Sequence, residues 1–323
     1  TVNRTVTLDL NGNVLKMTGS DSVIKVEADG DLTIQDRNTT TQHTFNPHCK
    51  YQFWYIDMWE LDKDGSEIVS GGVITGGGGD QNNGGGVLVA GGTLTMAGGS
   101  IVGCSARSRG GGVYLGKDSD TGKSGTFIMT SGSIIGCAAQ LGGGVYVTSG
   151  CTFVMATSSN IHNCIANNDG GGVINHGTFQ MRGGTISTCT TVAFGGGGVC
   201  NNGTFIMSDG MIKGCTSPDG QYASGGGVRN SNQFTMTGGM IGDPDNENDA
   251  SHVYNTSSQE TTLTISGNAK IYTDITNVGI LNADGGEIAG TMTNDTNRYG
   301  TGSEGAAGST EFHGKVTNTG TIR

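Results

Sequence analysis

The chain has 323 residues, of which 61 are glycine and only 3 proline, and charged residues make up 14% against the roughly 25% usual in a globular domain. It lacks the Leu, Ala, Glu and Lys stock of amphipathic helices, and no sustained 3.6-residue apolar pattern runs through it. The net charge is −11 with 17 scattered basic residues, and no stretch approaches the ~18 apolar residues of a membrane span, which argues against a nucleic-acid partner, an anionic membrane surface and membrane insertion by this segment.

The chain opens at Thr1 without a signal peptide, which reads as a mature or excised portion of a longer protein. Residues 1–36 contain TVTLDLNGNVLKMTGSDSVIKVEADGDLTIQD, whose clean alternation predicts the first coils of a solenoid with an N-terminal cap. Residues 37–71 interrupt that pattern. They hold Tyr51, Phe53, Trp54, Tyr55 and Trp59, including both tryptophans of the chain. One reading is an aromatic platform for sugar rings, since flat amphipathic side chains supply large contact area. The other is a folded-back flap over the open end or side of the core. In a single regular strand, alternation sets Trp54 and Trp59 on opposite faces, one buried and the other exposed. His43, His48 and Cys49 precede them with no strong zinc spacing and read as satisfied polar residues.

From residue 72 to 275 one unit recurs. It reads GGGVLVAGGTLTMAGGSIVGC from Gly84 and GGGVYLGKDSDTGKSGTFIMTSGSIIGC from Gly110. Further copies start at Gly142, Gly170 and Gly196, and decayed ones at Gly225 and His252. The period is 25 to 32 residues, and four apolar columns run through it. The first is Val87, Val113, Val145, Val173, Val199, Val228 and Val253. The second is Leu94, Phe127, Phe153, Phe179, Phe205, Phe234 and Leu263, with Met96, Met129, Met155, Met181, Met207, Met236 and Ile265 following at the second position after each. The fourth is Ile101, Ile134, Ile161, Ile186, Ile212, Ile241 and Ile271.

No unit can bury its own apolar face, but stacked units form one continuous core. The pattern therefore predicts an all-β chain, a parallel β-helix whose strands lie about 4.8 Å apart, so that Phe stacks on Phe. Parallel crossovers are right-handed in about 98% of cases, which sets the winding. The whole chain, 1–323, reads as a single domain, with 276–323 as degenerate C-terminal coils. The triple glycines read as turn chemistry, or alternatively as a side-chain-free strip that packs on a partner.

The residues GGGVYV, GTFIM and SGSIIGC resemble the glycine-rich β-helix repeats of bacterial surface adhesins. They are similar to those of adhesin-like proteins of gut anaerobes, and more distantly to polymorphic outer-membrane proteins and autotransporter passengers. The resemblance covers roughly residues 5 to 275, the opening TLDLNG included. One departure is clear: the polymorphic family pairs its GG-apolar element with FxxN, whereas Phe127, Phe153, Phe179 and Phe205 are followed by x-Met. The resemblance implies a solenoid with an extracellular, bacterial cell-surface location. It leaves the ligand open, because such repeats are scaffolds.

Of eight cysteines, five (Cys104, Cys137, Cys164, Cys189 and Cys215) stand three residues after a column isoleucine and form a fifth column. They read as a ladder of buried reduced thiols, with disulfides between coils as the alternative. Cys200 falls on the outward phase and reads as a free surface thiol. The loop carrying Asp243, Asp245, Glu247 and Asp249 alternates oxygen ligands in the manner of a calcium site but lacks the glycine and terminal glutamate of an EF-hand. It reads as a solvated acidic turn, with calcium the only cofactor in view. Polysaccharide-cleaving enzymes need Asp/Glu pairs, or acidic calcium ligands with a Lys or Arg base, facing one groove, and the outward repeat positions are mostly Thr, Ser, Gly, Tyr, Ile and Asn. Asp57, Glu60, Asp62 and Asp64 are acids that folding can bring near a groove. The expected function is thus non-catalytic binding of glycans or surface proteins. A self-associating stalk or filament subunit comes second, and a polysaccharide lyase or glycoside hydrolase third.

Overall fold

Short alternating runs of β-branched, aromatic and methionine side chains, cut every few residues by glycine, favour strands over helices. The computed structural model describes residues 1–51, 56–78, 83–218, 225–246, 249–256, 261–294, 309–312 and 317–318. The chain is a right-handed parallel β-helix. Among the described residues, strands stack in sequence order into sheets of 15, 10 and 4 parallel strands, and a fourth sheet has 3 antiparallel strands. One coil runs through a valine strand (Val145–Val147), a long bent strand (Thr152–His162) and a short lateral strand (Ile165–Asp169). Gly170, Gly171 and Gly172 then lead into the next coil.

The columns lie in register. Val145 pairs with Val113 and Val173, Phe153 with Phe127 and Phe179, and Ile161 with Ile134 and Ile186. All of these side chains are fully buried. The rings of Phe127, Phe153, Phe179, Phe205 and Phe234 stack at centroid separations of 4.5 to 4.9 Å with 2 to 9° between planes. Regular stacking also runs past residue 275, since Leu281, Ala283 and Ile288 sit over Leu263, Ile265 and Ile271.

Each glycine of the triplet has its own task, and the triplet is buried between coils instead of forming an outward strip. Gly110 takes φ +64, a conformation open to glycine. At Gly112 an added Cβ would stand 2.7 Å from the carbonyl oxygen of Gly144 in the next coil and 2.7 Å from Ile134. Turn chemistry and close stacking both require the missing side chain.

The five ladder cysteines are buried and free. Burial pushes the Cys137 and Cys189 thiols well above their usual range, so these two rungs are held protonated. Alkylation in denaturant without reductant should modify all five, and mass spectra showing bridged pairs would overturn this assignment.

One expectation about the outer face of the valine sheet is corrected. Cys200 points outward yet is fully buried, with its sulfur 4.0 Å from Asp169 Oδ1, 3.9 Å from Arg229 Nη1 and 3.8 Å from Asn202 Nδ2. Burial pushes its pKa up to about 12, so it is no reactive surface thiol. Tyr146, also outward, is 6% exposed and packs between Tyr114 at 5.5 Å and His176 at 5.4 Å, with the Arg109 guanidinium 5.3 Å from its ring centre. Side chains from neighbouring strands form a second layer over this sheet. Alternation tells which face a residue takes, not whether that face is wet.

Asparagines supply an internal ladder at the end of the valine strands. Asn175, Asn201, Asn230, Asn255 and Asn277 are fully buried, and each Nδ2 of the first four donates to the next Oδ1 at 2.7 to 2.8 Å. Sequence reasoning misses this column, although Val-x-Asn recurs at 173–175, 199–201, 228–230 and 253–255.

Candidate functional site

The long strand of each coil bends between its methionine and its isoleucine, where later coils use short linkers such as Gly98 and Gly99. The aromatic insertion occupies that bend in an early coil. Asp31–Gln35 and Val73–Thr75 pair with the two halves of Thr93–Val102, so residues between them leave the wall and return. The Asp36 carboxylate pins both ends by accepting the N–H groups of Gly12 and Gly72, each at 2.7 Å.

The insertion forms a three-stranded antiparallel flap in which Gln42–Tyr51 lies between Ile56–Leu61 and Glu67–Ser70. It folds back onto the side of the solenoid. Phe45, Trp59 and Val69 form a small core with Val73, Val102 and Ile135 of the wall. Trp59 is 8% exposed, its backbone N–H donates to the Gly136 carbonyl at 3.1 Å, and its backbone and ring fill the space where side chains at Gly103 and Gly136 would stand. The expectation of Trp59 as an open stacking platform is therefore corrected: the ring is mostly used in covering the wall. Tyr51 pairs with Ile56 at the hairpin end. Phe53, Trp54 and Tyr55 lie outside the described residues.

Past the flap a groove of about 370 Å³ opens between it and the lateral wall. Pro47, His48, Trp59 and Glu67 line it from the flap, with Asn163 and Thr188 facing them from the wall. The wall position two residues after the column isoleucine takes a left-handed backbone in each coil here. It is glycine at 103, 136 and 214 (φ 57, 57 and 59), but Asn163 at φ 54 and Thr188 at φ 50. The Thr188 hydroxyl donates to Asn163 Oδ1 at 2.7 Å, and Asn163 Nδ2 lies 3.2 Å from His162 Nδ1. An amide nitrogen only donates, so Nδ1 of His162 accepts and its proton sits on Nε2. Burial lowers the pKa of His162, against the pull of Glu67, and keeps it neutral under the edge of Trp59, 6.3 Å away at 84°. The exchange of glycine for Asn163 and Thr188 is visible in the repeats as IHNC and ISTC among IVGC, IIGC and IKGC.

On the flap's other side, Lys16, Met58 and Glu60 line a smaller cleft of about 260 Å³ against Gly76, Gly77 and Gly103. Of the acids expected near a groove, Glu60 lies here, while Asp62 and Asp64 share a turn in which Asp64 N–H donates to Asp62 Oδ1 at 3.0 Å. His43 is satisfied by the Gly12 carbonyl at 3.0 Å.

The acidic loop is organised by its own chain. Asp249 is 5% exposed, and its carboxylate accepts backbone N–H groups from Gly214, Asp243 and Ser251 at 2.8 to 3.1 Å. Asp243 accepts from Lys213 Nζ at 3.0 Å and from the Asp245 N–H at 3.1 Å, and Glu247 lies outside the described residues. Of the solvated turn that the sequence suggests, Asp249 is thus the exception: it is a buried cap. Among the described residues, no group of three or more His, Cys, Asp or Glu side chains is arranged to hold a metal ion.

Comparison with protein-family models, with curated proteins and with solved structures finds no match to the chain.

Proposed function

We propose that the chain is a non-catalytic module of an adhesin-like protein at a bacterial cell surface, binding glycans or surface proteins beside its flap. One observation carries this reading. A repetitive wall of small polar side chains is interrupted by a packed flap, and the groove at its margin gathers an aromatic edge, an imidazole, an amide, hydroxyls and a carboxylate. Binding sites are concave places where an apolar wall meets a few convergent polar groups, and this groove has both. A glycosidase needs two carboxyls across the scissile bond, and among the described residues Glu67 is the one carboxylate in the groove lining.

The test is to probe the intact chain on a glycan array and on whole cells, and to incubate it with soluble polysaccharides. Binding without new reducing ends is the expected result; polysaccharide cleavage would overturn it. Light scattering separates the module from a stalk. A binding module keeps a monomer mass at all concentrations, whereas a size that grows with concentration would favour the filament subunit.

A further inference from the structure

We propose that the groove beside the flap is a subsite for neutral glycans, in which Asn163 and Thr188 read sugar hydroxyls next to the edge of Trp59. This rests on the glycan reading above and names the ligand class and the residues. The argument begins with backbone strain. A β-branched residue at positive φ is an outlier held in strain, and glycine would relieve it. Neighbouring coils use glycine at this position, at 103, 136 and 214. Gly103 and Gly136 lie under Trp59, where no side chain fits. Asn163 and Thr188 occur where the wall faces the groove, so the side chains are retained at the place a ligand would meet them.

Their bonding leaves capacity for a ligand. Asn163 uses one amide hydrogen toward His162 and keeps the other, and the exposed Thr188 hydroxyl donates to Asn163 Oδ1 and accepts the Asn163 N–H at 3.3 Å, which leaves it one lone pair. His48, Glu67 and Thr190 line the groove around them and add polar groups of both kinds for sugar hydroxyls. Pro47, Ile165 and the Trp59 edge supply the apolar wall for the C–H face of a sugar ring. Charge decides the class. Among the described residues, neither Lys nor Arg lines the groove, Glu67 is exposed there, and the chain carries −11 overall. Sialylated and uronate sugars would meet repulsion, and neutral ones would not.

The experiment uses the whole chain on an array of neutral oligosaccharides ending in hexose or N-acetylhexosamine, beside sialylated and uronate-containing ones of matched length. The best neutral binder is then titrated calorimetrically against wild type, Asn163→Gly and Thr188→Gly. Glycine already occupies this position in adjacent coils, so both variants should fold with an unchanged or higher Tm. Each is expected to weaken binding about tenfold, the loss of one to two hydrogen bonds. Equal affinity in all three proteins would overturn the subsite and leave the proposed function standing. Preferential capture of acidic glycans would overturn the ligand class. An array with no bound glycan would overturn the glycan reading and the subsite with it.

Discussion

Phe153→Ala should lower stability by about 3–5 kcal/mol, the range for a fully buried aromatic that leaves a cavity behind. The ring is 0% exposed and lies between Phe127 at 4.9 Å and Phe179 at 4.8 Å. Its removal therefore damages both interfaces of an interior coil. In a solenoid, stability is close to a sum of coil and nearest-neighbour terms, so the lesion is not shared with distant coils. Tyr146→Ala is the informative contrast. That ring belongs to the outer layer, where its loss opens toward solvent instead of leaving a closed void, and about 2 kcal/mol is expected. Urea melts measure both. Equal costs would contradict the assignment of Phe153 to the core ladder.

The fold is legible in the sequence because each column repeats the same residue type at nearly the same spacing, and alternation assigns its face. Spacing and alternation alone put Val113, Phe127, Met129, Ile134 and Cys137 inside, where all five are fully buried. Cys200 and Tyr146 show where that logic ends. Their outward phase follows from alternation, but their burial comes from Asp169, Arg229, Arg109 and His176, which neighbouring coils bring against them. The insertion is recognisable as a break in period, whereas its docking through Trp59 onto Gly103 and Gly136 depends on contacts between distant segments. The groove is half legible. Trp59 stands out as an aromatic, while Asn163 and Thr188 look like ordinary repeat variation, although both replace a glycine.

Breaking the asparagine ladder in its interior should rank with the loss of a phenylalanine. Asn201 donates through Nδ2 to Asn230 Oδ1 at 2.7 Å and to the Gln233 carbonyl at 2.9 Å, and accepts from Asn175 Nδ2 at 2.8 Å. Asn201→Val fits the volume but orphans buried groups on both sides. At about 1–3 kcal/mol for each unsatisfied group, a loss on the order of 4 kcal/mol follows. Asn175 is the ladder's first rung, and its partner in the preceding coil is Val147. Asn175→Val extends the aliphatic column by one coil and removes no bond to the preceding coil. It strips the Asn201 Oδ1, the Thr204 carbonyl and the Gly177 N–H of one partner each, while Asn201 Oδ1 still accepts the Gly203 N–H at 3.3 Å. It should cost about half as much, because fewer buried partners are left without a bond. Chemical denaturation of the two variants gives the comparison directly. If they lose the same stability, the asparagines act as separate turn caps and not as a connected ladder.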